Sequence, residues 1–308
     1  MRRWQASVSA ICSAMMFLGG ALPARAFEPV DPGGLAPTPP AASGTEQAVV
    51  AQYWELGRPR WFGAMTLEAG YAYAKPQFSA GYGQPFWRWF GVQAYPLGSV
   101  GGVGQYAGIG AGIPGLSARV GGRYFYPFQR RLLPPRESYT REDMQLEEGP
   151  RGDYLALEAE ISATLPMGRG SLFGVLTGYR VELVPDGLLI YEESLRTIMK
   201  PPHIWRTRLG YLLSLGQNGA IRIGPVSEVV GMPGRYDVVL RGGLLTSVLI
   251  NAHLEAQASF IPVLTSPDSL GLAGGDFGQL GVLFRWATGS TPDPDRVRQL
   301  RGEQEPVR

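Results

Sequence analysis

Residues 154–165 read Tyr-Leu-Ala-Leu-Glu-Ala-Glu-Ile-Ser-Ala-Thr-Leu. Side chains alternate across a β-strand with a period of two residues. On that period Leu155, Leu157, Ala159, Ile161, Ala163 and Leu165 share one face, and Tyr154, Ala156, Glu158, Glu160, Ser162 and Thr164 share the other. Six apolar groups point one way, and two glutamates and two hydroxyls point the other. A strand with one apolar face needs about 9–11 residues to cross a bilayer, and this stretch is long enough.

The same alternation recurs on both sides of it. In 61–74, Met65, Leu67, Ala69, Tyr71 and Tyr73 oppose Thr66, Glu68 and Gly70. In 116–128, Leu116, Ala118, Val120, Tyr124, Tyr126 and Phe128 oppose Ser117, Arg119, Gly121 and Arg123. In 171–183, Phe173, Val175, Tyr179, Val181 and Leu183 are read as the apolar face against Gly174, Gly178, Arg180 and Glu182. In 203–215, Trp205, Leu209, Tyr211, Leu213 and Leu215 oppose Arg206 and Arg208, and in 236–248, Tyr236, Val238, Leu240 and Leu244 oppose Asp237 and Arg241. Leu254, Ala256, Ala258 and Phe260 oppose His253, Glu255, Gln257 and Ser259; Leu280, Val282, Phe284 and Trp286 oppose Gln279 and Arg285. The segments 86–95, 103–113 and 220–230 fit the rule less cleanly, the second because glycine dominates it.

A soluble β-sandwich also alternates. Three features select the membrane. The apolar faces are long and nearly unbroken. Glycine and charge, rather than large aliphatics, fill the opposing face, as a polar lumen requires. Aromatics such as Trp61, Tyr124, Tyr126, Phe128, Trp205 and Trp286 gather toward segment ends, where interface girdles lie. On these residues the chain resembles bacterial outer-membrane β-barrel proteins over about three quarters of its length, by architecture and without a diagnostic motif. The resemblance implies an all-β fold, a transmembrane antiparallel up-and-down barrel, in the cell outer membrane.

Composition agrees. Charged residues make up 18% of the 308, against roughly 25% in soluble domains. The 43 glycines and 26 prolines accompany 44% hydrophobic residues, which favours many short strands and turns over disorder. A net charge of +2 gives no electrostatic case for nucleic acid. Arg2 and Arg3, the apolar stretch 10–22 and Ala24-Arg25-Ala26 read as a signal peptide over 1–26. Proline-rich 27–46 reads as a periplasmic linker, 47–288 as the barrel, and 289–308 as a disordered tail. Cys12, the single cysteine, falls in the leader, so the mature chain has no disulfide or thiolate metal site.

Eleven segments are good strands, and single-chain bacterial barrels take an even number. The expectation is therefore about twelve strands, with ten as the alternative. Either 47–56 or 188–199 supplies the twelfth. The long connections are 129–151, 185–202 and 264–275. Long loops face outward, and with 47–56 as the first strand all three follow odd-numbered strands, so that count is preferred.

The chemistry is sparse. His253, Glu255 and Ser259 share a face, but His253 and Ser259 are close to 20 Å apart at about 3.3 Å per residue, too far for a nucleophilic dyad. His203 follows two prolines and reads as a rim residue. Gly108 and Gly110 lack the third glycine of a dinucleotide fingerprint and read as relief for strand bending. No metal, cofactor or catalytic residue is expected, and the chain is expected not to be an enzyme. The residues expected to line a lumen are Glu68, Arg119, Arg123, Glu158, Glu160, Arg180, Glu182, Arg206, Arg208, Arg222, Glu228, Arg241, Glu255 and Arg285. They form either a charged constriction that selects solutes or a packed ion-pair network. The mixed-charge segment 129–151 is a solvated loop, a plug, or a contact for lipopolysaccharide phosphates. The first functional expectation is a narrow pore for small solutes, in contact with outer-membrane lipid and lipopolysaccharide. The alternatives are a plugged structural or surface-interaction barrel and, third, a lipid-modifying barrel enzyme.

Overall fold

The computed structural model describes residues 53–297 except 71–72, 100, 129–131, 146–151, 217–218, 278–279, 290–291 and 294. The expected leader and linker and much of the expected tail lie outside the described residues. The strands are β1 (Arg60–Gly70), β2 (Tyr73–Gln84), β3 (Arg88–Ser99), β4 (Gly102–Ile113), β5 (Leu116–Pro127), β6 (Leu132–Leu133), β7 (Tyr154–Met167), β8 (Gly170–Glu182), β9 (Leu189–Glu192) and β10 (Thr197–Met199). They continue with β11 (His203–Leu215), β12 (Ile221–Met232), β13 (Asp237–Asn251), β14 (Leu254–Phe260), β15 (Val263–Thr265) and β16 (Gly281–Ala287). A short helix, α1 (Arg141–Gln145), lies between β6 and β7.

Every ladder is antiparallel, and the sheet runs β12-β11-β8-β7-β5-β4-β3-β2-β1-β16-β14-β13 and closes through β12 on β13. β14 and β15 pair with the same neighbour and form one interrupted stave. The result is a closed twelve-stranded barrel. Closure leaves no sheet edge, which is what lets a sheet sit in hydrocarbon.

Sequence position builds it simply. Neighbouring strands pair in chain order, and turns such as Pro114-Gly115 and Gly168-Arg169 return the chain. Gly115 and Gly168 sit at φ 76° and 62°, where glycine avoids the Cβ clash. The outer face carries Phe78, Phe90, Val92, Ile109, Val120, Leu157, Ile161 and Leu172, all exposed, Ile161 by 53%. So broad an apolar belt is an interaction surface, and on a closed barrel it is the lipid face.

The even count holds, but two of its members differ from expectation. The described part of 47–56 is turn at 53–56, and residues 47–52 lie outside the described residues. The missing stave is β2. Its sequence, Tyr-Ala-Lys-Pro-Gln-Phe-Ser-Ala-Gly-Tyr-Gly-Gln, holds a proline and two glycines that read as turn. Pro76 is nevertheless accommodated opposite Leu67. Because β2 replaces 47–56 one for one, the long connections still follow the fifth, seventh and eleventh staves. All three therefore share one end, here the loop end. Segment 188–199 is no stave either; it supplies β9 and β10 to a small sheet with β6.

At the other, turn end, segment 53–57 packs along one side of the rim, under the neighbouring staves β14, β16, β1 and β2. Trp54 Nε1 donates to Ala252 O at 3.0 Å and stacks edge-on against Phe86 and His253. Gln84 Nε2 donates to Glu55 O and Gly57 O. Within the expected tail, Asp293 accepts from Arg58 at 2.6 Å, and its N–H donates to Leu56 O. Both ends of the described chain are thus fastened together.

Candidate functional site

The inside of the barrel is a cavity of about 900 Å³. It runs from Tyr73, Tyr95, Ser194 and Arg196 at the loop end to Trp89, Gly115, Ser117 and Thr164 at the turn end. The period-two alternation delivers its walls: the inner positions of β5 present Arg119 and Arg123, those of β7 present Glu158 and Glu160, and those of β11 present Arg206 and Arg208.

These groups pair across strands. Arg119 Nε lies 3.0 Å from Glu160, which also accepts from Thr177 Oγ1 at 3.1 Å; Arg206 donates to Thr177 Oγ1 at 3.3 Å and stands 3.8 Å from Glu160. Arg123 Nε lies 2.5 Å from Glu158. Arg208 reaches Glu228 at 2.5 Å and Asp276 at 2.7 Å, and Arg241 pairs with the same Glu228. Glu68 accepts from Tyr73 and pairs with Lys75. Arg285 and Glu255 meet at 3.2 Å near the turn end, and Arg222 faces the cavity there.

Two expected lumen residues are elsewhere. Arg180 and Glu182 point outward and pair with each other at 2.5 Å, Arg180 being 58% exposed. The expected faces of β8 are inverted: Phe173, Val175, Thr177, Tyr179 and Val181 point inward, and Leu172, Leu176 and Arg180 outward. The reason is local. At the loop end Tyr179 and Val181 lie under the roof, and nearer the turn end Phe173 and Val175 join Leu212, Val226 and Ile261 in an apolar cluster inside the wall, whereas the outer rim at the end of the stave tolerates the charges of Arg180 and Glu182. Tyr73, read with the outer face, also points inward, because the chain turns between Gly70 and Tyr73. Tyr71 and Gln279 lie outside the described residues.

The roof comes from the long loops. β6, β9 and β10 form a three-stranded sheet. Its Leu132, Ile190 and Met199, with Leu195, pack on Phe125, Tyr154, Tyr179, Val181, Ile204, Val230 and Val239 of the staves. A second layer joins Leu133, Tyr139, Met144, Tyr191 and Ile198 to Leu270 from the last long loop. Arg235, in the β12–β13 turn, clasps Asp268 at 2.7 Å and donates to Ile198 O and Glu137 O. The segment 129–151, where described, is therefore part of a cap.

Polar contacts also anchor this roof to the barrel wall. Arg123 Nη2 lies 2.6 Å from Glu192 on β9. Arg241 donates to Leu195 O at 2.7 Å, and Arg208 reaches Asp276 on the loop before β16. Glu192 is fully buried; it accepts from Tyr154 OH at 3.0 Å, from Ser194 Oγ at 2.7 Å and from the Leu195 N–H at 2.7 Å. Burial pushes its carboxyl up, but Arg123, the Ser194 hydroxyl and the Leu195 N–H outweigh burial and hold it below the ordinary carboxylate range. Sequence reasoning missed Glu192, Asp276 and Thr177. Glu192 sits in an ordinary polar pair, Glu192-Glu193, and no local period marks a loop residue for burial.

No protein family matches the sequence, and no curated protein matches it. A solved structure of OmpTdeltaL8, a loop L8 deletion mutant of OmpT, an outer membrane protein of Vibrio cholerae, is similar with a TM-score of 0.35 and 6% identity, over 74% of this chain and 99% of that one. The expectation that this chain is not an enzyme is corrected: that reading is withdrawn, and neither an activity nor its absence is assigned to the chain from this likeness.

Proposed function

We propose that this outer-membrane barrel is closed at its loop end and keeps a water-filled vestibule that opens at the turn end. Short turns face the periplasm in such barrels, so the vestibule faces the periplasm and the roof faces outward, against lipopolysaccharide. The observation that carries this reading is the buried Glu192, gripped by Arg123, Tyr154, Ser194 and the Leu195 N–H. A carboxylate taken so completely out of water stays ionised only while its partners stay in place, so the roof is a fastened structure.

In planar bilayers the wild-type barrel then shows no steady conductance. Deleting 185–200, which removes most of the roof, opens a channel. Steady wild-type conductance would instead support the second reading, a narrow pore for small solutes, which the 900 Å³ cavity favours.

A further inference from the structure

The inner face of β4 is a stripe of glycine that includes Gly108, Gly110 and Gly112. Relief for bending does not exhaust its role, because the stripe has an occupant. A Cβ at Gly110 would lie 3.1 Å from Trp89 Cη2, and one at Gly112 would lie 3.2 Å from Trp89 Nε1. The two ends of the indole therefore rest over two glycines of the same face. The ring lies along β4, against the wall, and it lines the cavity.

Gln93 lies beside it, its Oε1 3.1 Å from the same Gly110 Cβ position. That Oε1 is buried without a hydrogen-bond partner, and Gln93 is only 9% exposed while lining the cavity. A buried acceptor left unmade is costly, so the site is short of a donor. Thr66, Gln77 and Ser79 continue the same wall with hydroxyls and an amide.

We propose that this wall binds a neutral saccharide inside the barrel. The C–H face of a pyranose ring suits a flat indole backed by glycine. Its hydroxyls exchange hydrogen bonds with Gln77, Ser79 and Thr66, and one donates to Gln93 Oε1 once that side chain turns off the β4 wall into the cavity. Aromatic lining with a few placed polar groups is the usual make-up of a small-molecule site. Neutrality follows from the charges. A charged ligand in a lumen needs a counter-charge, and the nearby charges are already engaged: Arg119 on the neighbouring β5 and Arg206 on β11 both face Glu160, and Lys75 pairs with Glu68. The site goes beyond the closed-barrel reading and rests on the cavity wall alone.

The test is saturation-transfer NMR on the full-length barrel refolded in detergent micelles, titrated with maltose, sucrose and trehalose, and with glucose 6-phosphate as the charged probe. At least one neutral disaccharide is expected to saturate, and the phosphate is not. Trp89→Leu weakens that binding by about tenfold or more, equivalent to one decade in Kd, and Gln93→Leu weakens it severalfold. Phe90→Leu, on the outer face, leaves it unchanged. If Trp89→Leu fails to fold, Gln93→Leu carries the test. No saturable binding of any of the three sugars, equal binding of glucose 6-phosphate, or undiminished binding by Gln93→Leu overturns the proposal.

Discussion

Arg123 Nη2 on β5 lies 2.6 Å from Glu192 Oε1 on β9, and both side chains are shut away from water. This ion pair joins a stave of the barrel to the loop sheet that covers it. Removing one partner of a buried pair strands the other charge, at a cost of roughly 3–5 kcal/mol. Arg123 keeps Glu158 when Glu192 is lost, so the expected cost lies at the lower end of that range. Glu192→Ala should loosen the roof and leave the barrel folded. Limited proteolysis of the reconstituted protein within 185–202 reads this directly, and unchanged resistance there would show that the apolar contacts hold the roof alone.

The same carboxylate predicts a pH dependence. Its folded-state pKa is depressed by Arg123 and its hydrogen-bond donors. A depressed carboxylate contributes stability above its unfolded pKa, and that contribution is lost as pH falls through the folded pKa. The roof is therefore expected to hold at neutral pH and to release only below about pH 4. Conductance of the wild type recorded against pH should switch on in that acidic window, and Glu192→Gln should remove the switch.

The two faces of β7 should respond oppositely to arginine. Ile161 is exposed on the lipid face and Ser162 faces the cavity. Ile161→Arg should cost about 2–4 kcal/mol if its depth is near the bilayer midplane, and Ser162→Arg much less, since water solvates it. Urea refolding into lipid vesicles gives both values, and equal costs would place the lipid boundary elsewhere.

Arg206 and Arg208 are two residues apart on one face but are not equivalent. Arg208 touches Glu228 and Asp276, both within 2.7 Å, whereas Arg206 stands 3.8 Å from Glu160. Arg208→Glu sets three carboxylates together and should cost several times as much as Arg206→Glu, about 3–5 kcal/mol on the scale of a broken buried pair. Paired urea titrations decide it; equal losses would mean that Asp276 does not bind Arg208 in the membrane.

The order of these effects follows from what each level of description contains. Alternation in 154–165 and its repeats was enough to establish an all-β barrel of about twelve staves, because a period of two with one unbroken apolar face has few uses other than a strand with lipid on one side. It also placed most of the inner charges, since parity alone assigns a face. Parity could not choose β2, where Pro76 and two glycines mimic a turn and only pairing with β1 and β3 makes a stave. It inverted β8, because an inner position under a roof takes apolar groups as readily as an outer one. The roof itself was invisible: Glu192 and Asp276 lie in the long connections, and the partners that hold them, Arg123 and Arg208, are 69 and 68 positions away. Local sequence determines which way a side chain points along a strand, whereas contacts between distant segments decide whether that direction leads to water, to lipid or to another part of the chain.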